Sequence, residues 1–287
     1  AELSPQEKLG RLENVLGIAA NVEEKRVVLS GLANVKTIES LRLVVPFMKD
    51  ADLQAAAASA AARIASPQPG ADKGLFGDEV ISALKKAADI IQNRYERERV
   101  GKSIEAILAQ EGFAPLFNGK DLSGWKGLVG NPASRTKMTP EELEKAQAEA
   151  DKLMQEHWKA VDGILYFDGK GENLCTIKDY RDFELLVDWK IESQGDSGIY
   201  LRGSPQVQIW DPAQWPEGSG GLYNNKVGPS KPLKCADNPI GQWNTFRIKM
   251  VGERVTVYLN DVLVVDEVVM ENYWERDKPI YSTGPIE

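Results

Sequence analysis

The chain has 287 residues, of which 42% are hydrophobic, and it carries a formal net charge of -8 at pH 7. This length is sufficient for two domains, and no apolar run is long enough to span a bilayer. An acidic chain without a basic run argues against nucleic acid or an anionic membrane as the main partner. The single histidine, His157, excludes a metal site built on several histidines and a Cys/His zinc cluster. Cys175 and Cys235 form no CxxC motif, and we expect free, buried thiols.

Residues 1–110 are typical of a helical domain. Ser4 and Glu7 form a capping box around a proline, which predicts the first helix, and Asn21 and Thr37 are placed to start the next two. Helix pairs that recur at intervals of about 35–40 residues resemble HEAT-type repeats, and a small irregular bundle explains them equally well. This half contains no titratable cluster on an apolar background, so its expected role is protein contact or self-association. The remaining predicted segments are an alanine-rich helix at 52–65, a loop at 66–77 and a helix at 78–98.

After a boundary marked by Gly112 and Pro115, the hydrophobic pattern changes to a period of two, which indicates strands. Asn260 and Asp261 form a tight turn that predicts a hairpin. Strands without intervening βαβ helices indicate antiparallel sheets, and Thr139 starts a helix inserted at about 139–157. The predicted fold is therefore multidomain, with a helical domain at 1–110 and an all-β sandwich or jelly roll at 111–287. The alternating strands lie at 183–191, 199–202, 206–210, 246–250 and 255–265.

The polar positions of these strands predict one sheet face suited to a sugar-like ligand. Arginine and amide groups hydrogen-bond hydroxyls in pairs, and an aromatic ring covers the apolar C–H face of a sugar. Glutamine is a poor strand former, so its presence twice on one strand favours a binding role over a solvated outer face. A glycine-rich loop at 218–225 would let its backbone approach a ligand. The predicted face carries Asp188, Lys190, Tyr200, Arg202, Gln206, Gln208 and Trp210.

Six ordered motifs resemble the 3-keto-disaccharide hydrolase domain family, which was long known only as a domain of unknown function. The opening stretch 113–125 reads Phe-Ala-Pro-Leu-Phe-Asn-Gly-Lys-Asp-Leu-Ser-Gly-Trp, and an Asp-Ser-Gly-Ile-Tyr-Leu-Arg motif ends at Arg202. Gln206–Ile209, Gly221–Tyr223 and Gly241–Asn244 match later motifs, and Asp261 stands in the glycine place of a Leu-Asn-Gly hairpin. The resemblance covers residues 113–287 and leaves out the helical half.

The resemblance implies a concanavalin A-like jelly roll and activity on glycosides that are oxidised at C3. It also implies an extracytoplasmic setting, periplasmic or lipoprotein-derived, in a Gram-negative bacterium. The sequence starts at Ala1 without Met, as a secreted protein does after its signal peptide is removed, and as a recombinant fragment does. Family members usually continue past the equivalent of Ile286–Glu287 into a last strand with a Leu-Gln-x-His-Gly motif, so we expect a strand and a site histidine beyond Glu287.

A ketone at C3 acidifies the C2 proton and lets the C1 oxygen leave by β-elimination, after which water can add. Such an enzyme needs a base near C2, a stabiliser for the enolate and an acid for the leaving oxygen. We expect Asp188 or Glu271 as the base, and Tyr223 or His157 as the acid. Lys190 and Arg202 are the expected cationic stabilisers, which a divalent metal ion could replace. The expected substrate-binding residues are Tyr200, Gln206, Gln208, Trp210, Asn224, Trp243 and Tyr273.

Simpler interpretations of these residues remain open. Asp188 and Lys190 could form a cross-strand ion pair, and His157 could cap a helix. The whole domain could be a non-catalytic carbohydrate-binding module, or a spacer in a scaffold whose helical half docks a partner. A conventional glycoside hydrolase would need two carboxylates, and the strand that carries such a pair in jelly-roll glucanases has Gln206 and Gln208 instead.

Overall fold

The computed structural model describes residues 3–67 and 74–287, which fall into two compact units, Ala1–Ala114 and Pro115–Glu287. Half of the predicted loop at 66–77, residues 68–73, lies outside the described residues. None of the described helices is long and apolar enough to cross a membrane.

The first unit is helical, as the sequence predicts. Its predicted caps are confirmed, because the side chains of Ser4, Asn21 and Thr37 each accept a hydrogen bond from the backbone three residues later. The helix predicted at 78–98 is instead two helices, because Asn93 caps a new one by accepting from the backbone of Glu96. The helices are α1 (Pro5–Ile18), α2 (Val22–Leu32), α3 (Ile38–Val44), α4 (Gln54–Ala65), α5 (Asp78–Ile90) and α6 (Arg94–Gln110), with a 3-10 turn at Val45–Lys49.

The alanine-rich helix α4 lies at the centre of this unit. Seven of its twelve residues are buried, and it packs against α2, α3 and α5. Small side chains let helix axes approach closely, so one helix can bury its surface against several neighbours. The HEAT-type arrangement of these helices stays a prediction.

The second unit is a β-sandwich with two helices, α7 (Pro132–Arg135) and α8 (Pro140–His157). Thr139 caps α8 through a capping box, as predicted from the sequence. The first five strands are β1 (Trp125–Gly127), β2 (Trp158–Val161), β3 (Ile164–Phe167), β4 (Leu174–Thr176) and β5 (Phe183–Trp189). The others are β6 (Asp196–Leu201), β7 (Ser204–Trp210), β8 (Asn244–Val251), β9 (Arg254–Leu259) and β10 (Val262–Val269).

One layer of the sandwich is an antiparallel sheet with the strand order β10-β9-β8-β5. The predicted hairpin joins β9 to β10, and Asn260 and Asp261 have φ values of 51° and 64°, as its tight turn requires. On β5 and β8, Leu185 pairs with Ile248 and Val187 with Phe246, so this face points into the core.

The other layer is assembled from pieces that are distant in sequence. Strands β1 and β4 pair with each other, and β6 pairs with β7. Residues 284–287 join these two pairs, because Ile286 bonds to Thr176 of β4 while Glu287 exchanges two backbone hydrogen bonds with Tyr200 of β6. A bridge between Val207 and Leu222 extends the layer beyond β7. Its apolar side meets the four-stranded sheet in one core.

Candidate functional site

The outer side of the β6–β7 pair is a polar surface that carries two residues of interest on β6 and three on β7. The residues of the opposite phase, including Ile199, Val207 and Ile209, belong to the core. Strand side chains alternate between the two faces, so the polar residues must point away from the core. This surface, the β6–β7 face, carries Asp196, Tyr200, Gln206, Gln208 and Trp210.

A line of hydrogen bonds crosses the β6–β7 face. Gln206 donates from Nε2 to Oε1 of Gln208, which in turn donates from Nε2 to Oδ1 of Asp196 at 2.6 Å and to the Ser197 carbonyl at 3.0 Å. Gln208 is 1% exposed, so both ends of its amide are held in place. Gly198 makes room for this line, because a Cβ there would lie 2.8 Å from Cδ of Gln206. The result is a rigid row of amide and carboxylate groups.

An aromatic cluster continues the β6–β7 face at the end of β7. Trp210 stacks on Trp215 with ring centroids 5.0 Å apart, and its Nε1 donates to the Gly218 carbonyl at 2.7 Å. The ring of Tyr223 meets Trp210 edge-on at 5.4 Å and is 56% exposed. The stacking and the hydrogen bond therefore hold Trp210 in place, and the cluster presents the ring and hydroxyl of Tyr223 to solvent.

Glu271 closes the loop that follows Tyr223. Its carboxylate accepts backbone hydrogen bonds from Lys226, Val227 and Gly228 at 2.8–2.9 Å, and it pairs with Arg276. Burial acts to raise the pKa of Glu271, but these N–H groups and Arg276 outweigh it, and the pKa lies below its usual value. The carboxylate therefore stays ionised and holds the loop.

Arg276 connects this loop to two of the predicted substrate-binding residues. Its guanidinium donates to the Asn224 carbonyl at 2.9 Å and lies over the Tyr273 ring at 4.9 Å. The side-chain oxygen of Asn224, Oδ1, is buried without a hydrogen-bond partner. An unpaired buried acceptor is uncommon in proteins and is a group that a ligand hydroxyl could satisfy.

Tyr200 has a perturbed hydroxyl group. Burial raises the pKa of this hydroxyl first, and electrostatic interactions with Glu287, Tyr273 and Asp196 raise it further. The hydroxyl therefore stays protonated and remains a hydrogen-bond donor over a wide pH range. Sequence reasoning included Tyr200 but missed Asp196, which has the same strand phase, and Glu287.

Glu287 is the most perturbed carboxyl group among the described residues. Its side chain is 2% exposed, its Oε1 atom has no hydrogen-bond partner, and the Arg135 guanidinium is 3.9 Å away. Burial raises the pKa of Glu287 to about 7, against the opposing effect of Arg135 and Lys126. Its position follows from the pairing of residues 284–287 with β6, which no local sequence pattern indicates.

The prediction of a single face that includes Asp188 and Lys190 was wrong. Asp188 lies on β5 of the four-stranded sheet, where it points away from the core and accepts a 2.6 Å hydrogen bond from Thr245. Lys190 follows β5, and its Nζ lies 5.2 Å from the centre of the Trp243 ring. Asp188 therefore belongs to a different sheet from Gln206, and Lys190 and Trp243 lie beside the end of that sheet.

Arg202 and His157 also lie outside the β6–β7 face. Arg202 has a positive φ of 55° at the end of β6, which interrupts the alternation, and its side chain is 2% exposed. It donates to the Gly252 carbonyl at 2.7 Å and to Asp182 at 3.0 Å. His157 ends α8 and pairs with Asp168 at 3.0 Å.

Neither cysteine forms a disulfide, in agreement with the sequence prediction, but Cys235 is exposed and not buried. In the part of the chain that the structure describes, no group of three or more His, Cys, Asp or Glu side chains is placed to hold a metal ion.

Comparison with known proteins identifies the family of the β-sandwich unit. A family model described as the 3-keto-alpha-glucoside-1,2-lyase-like domain matches residues 112–287. The chain belongs to this family. The match covers the whole β-sandwich unit, and it confirms at family level the resemblance carried by the sequence motifs. The helical unit lies almost entirely outside the 3-keto-alpha-glucoside-1,2-lyase-like domain.

Individual relatives of the 3-keto-alpha-glucoside-1,2-lyase-like domain are distant. A 3-keto-disaccharide hydrolase from Bacteroides thetaiotaomicron is 22% identical over 208 residues, which are 60% of this chain and 64% of that protein. The chain thus spans less than two thirds of this relative. Crystal structures of two proposed glycosyl hydrolases from Parabacteroides distasonis are 22% and 23% identical, with TM-scores of 0.45 and 0.39. They cover 62% and 56% of this chain, and the matches include 87% and 88% of their own lengths.

Proposed function

We propose that this protein cleaves glycosides oxidised at C3, by removing the C2 proton and eliminating the C1 substituent. The observation that carries the proposal is the rigid row of Gln206, Gln208 and Asp196 beside an exposed tyrosine, within a domain of the 3-keto-alpha-glucoside-1,2-lyase-like family. The similarity to a 3-keto-disaccharide hydrolase supports the same substrate class.

In this proposal Gln206 orients a hydroxyl of the sugar, the buried Gln208 holds Gln206 and Asp196 in position, and the aromatic cluster covers the C–H face of the sugar. Hydrogen-bonded amides present a donor and an acceptor in fixed positions, which suits neighbouring hydroxyls. Asn224 contributes its buried, unpaired Oδ1 as a further acceptor. Tyr273, held by Arg276, interacts electrostatically with Tyr200 of the same surface and is the proposed edge contact of the sugar.

Asp196 takes the role of the base that removes the C2 proton, in place of Asp188. The electrons of the C2–H bond first enlarge the charge on the C3 oxygen and then form a double bond between C1 and C2 as the C1–O bond breaks. Tyr200, whose raised pKa keeps it protonated, donates a hydrogen bond to the C3 oxygen. Tyr223 gives a proton to the departing oxygen. Addition of water to the enone would convert the elimination into net hydrolysis.

The other predicted catalytic residues have different places in this proposal. Glu271 serves as a clamp for the loop after Tyr223, since its pKa is lowered and three N–H groups occupy it. Asp188, Lys190, Arg202 and His157 are not given catalytic roles. The domain boundary near residue 110, the jelly-roll topology, the extracytoplasmic location and the docking role of the helical unit stay predictions.

The test uses both anomers of p-nitrophenyl 3-keto-glucoside and follows nitrophenolate release, with and without EDTA. We expect release by the wild type and a loss of about 10²–10⁴-fold in Asp196→Asn, the range for removal of a general base. Asp188→Asn is the matched control and should retain wild-type rates. Detection of the enone or of the 3-keto sugar distinguishes elimination from net hydrolysis, and the EDTA arm measures any metal requirement.

A non-catalytic carbohydrate-binding module is the second candidate. It is favoured by the finding that Asp188, Lys190 and Arg202 lie outside the β6–β7 face, which leaves mainly amides and aromatic rings there. If no 3-keto-glycoside is cleaved by the wild type while unoxidised glycosides bind to this face, the module is correct and the proposed reaction is not.

A further inference from the structure

A cavity of about 350 Å³ lies at one end of the sandwich, where four chain segments meet. These segments are the residues before β5, the β6–β7 turn, the β8–β9 turn and residues 279–282. Its volume falls within the range of about 300–1,000 Å³ found for small-molecule pockets. None of the residues of the β6–β7 face lines it, so it is separate from the proposed reaction site.

Arg202 forms the inner wall of this cavity. Its side chain is 2% exposed, yet its Nε atom has no hydrogen-bond partner. Its carboxylate partner, Asp182, is itself 49% exposed. Burial lowers the pKa of Arg202 despite this partner, so the buried charge is incompletely compensated.

The backbone of Arg202 is set by the tight turn between β6 and β7. Leu201 pairs with Ser204, and the two residues between them, Arg202 and Gly203, have φ values of 55° and 75°, as a two-residue hairpin turn requires. The turn fixes the position of Arg202 at the end of the sandwich, where its side chain lines the cavity.

The charges that line the cavity are balanced and select the kind of ligand. Arg181 and Arg202 are matched by Asp182 and Glu253. An anion would be repelled by the two carboxylates, and a cation by the two guanidinium groups. A hydroxyl suits both, because it can accept a hydrogen bond from a guanidinium group and donate one to a carboxylate. Ile280 supplies an apolar surface beside them.

We propose that this cavity binds a pyranose unit of a neutral carbohydrate, at a second site separate from the β6–β7 face. Vicinal hydroxyls of the ring would lie between the guanidinium and carboxylate groups, and its C–H face would lie against Ile280. Such a site would hold the enzyme on a glycan without taking part in the reaction. It does not depend on the proposed reaction, because an unoxidised sugar would occupy it.

The test is a titration of the full chain with methyl α-D-glucopyranoside, observed through backbone amide signals in ¹⁵N NMR spectra. We expect saturable shifts at Gly252, Glu253 and Ser282 at the cavity. The double variant Arg181→Ala/Glu253→Ala should weaken this binding at least tenfold, while Lys249→Ala, an exposed residue on the outer side of β8, should leave it unchanged. Both residues of the double variant are exposed, so the dispersion of its spectrum can verify the fold.

Three results would overturn the proposal. The cavity amides could fail to shift with the glucoside, they could shift equally in the double variant, or they could respond to sodium sulfate and not to the sugar. The last result would identify an oxyanion site. Because the probe has no ketone, loss of 3-keto-glycoside cleavage and loss of cavity binding are measured independently.

Discussion

Replacement of the buried Glu287 carboxyl group should change how stability depends on pH. The carboxylate is disfavoured in the folded state, since burial raises the pKa of Glu287 from its ordinary value of 4.5 to about 7. The contribution of Glu287 to the stability of the wild type is therefore fully present below pH 4.5, falls as the pH rises from 4.5 to 7, and is constant above that. At about 1.4 kcal/mol for each pKa unit, the loss is about 3 kcal/mol.

The variant Glu287→Gln cannot ionise and should lack this loss. The difference in unfolding free energy between variant and wild type should shift by about 3 kcal/mol in favour of the variant between pH 4.5 and pH 8. Urea unfolding followed by tryptophan fluorescence measures it directly, because all seven tryptophans lie in the second unit. Using the difference between two proteins cancels the titration of every other group.

Glu142→Gln is a control with the opposite sign. Hydrogen bonds from Thr139 lower the pKa of Glu142, so its contribution is present at neutral pH and lost as the pH falls. A difference between Glu287→Gln and wild type that stays constant from pH 4.5 to pH 8 would refute the reasoning. It would mean that Arg135 and Lys126 compensate the buried charge fully.

Three further predictions follow from the geometry of particular residues. Gly198→Ala should displace the Gln206 side chain, because the new Cβ would lie 2.8 Å from Cδ of Gln206. We expect at least a tenfold loss of 3-keto-glycoside cleavage with an unchanged urea midpoint. An unaffected cleavage rate would contradict the role of the amide row. Gly127→Ala would place a Cβ 2.1 Å from the Ala150 carbonyl oxygen of α8, and it should lower the unfolding free energy by about 1–3 kcal/mol or more, measured by urea unfolding. The comparison variant is Gly241→Ala, which has open space for a Cβ and tests only the strain of a φ of 81°. In the native protein only the exposed Cys235 thiol should react with Ellman's reagent, because Cys175 is buried and burial raises its pKa to about 11. Cys235→Ser should abolish the reaction, and a second equivalent of product from the wild type would show that Cys175 is accessible.

Local patterns in the sequence predict most elements of this fold. Capping residues such as Ser4 and Thr139 act within one turn of the chain, so their effect can be seen in a few letters. The Asn260–Asp261 turn is equally local. The break between α5 and α6 was missed because Asn93 caps a helix in the middle of a continuous polar stretch, where periodicity alone gives no boundary.

The candidate site could be predicted only within one pair of strands. Alternation on β7 correctly puts Gln206, Gln208 and Trp210 on one face, because these residues share a strand. Alternation has no information on which sheet a strand joins, so Asp188 was assigned to a face that it does not share. Glu287 was missed for the same reason, since its burial arises from a pairing across the fold.

The segment at 284–287 has a consequence for how the sandwich is made. It lies between β4 and β6, and its Ile286 bonds to a residue 110 positions earlier in the chain. Without this segment, β6 and the β1–β4 pair have no common neighbour, and their backbone edge groups are open to pairing with other chains. Closure of so long a loop is slow compared with local hairpin formation. We therefore expect the β6–β7 hairpin to form before the layer that supports Tyr200 from the other side.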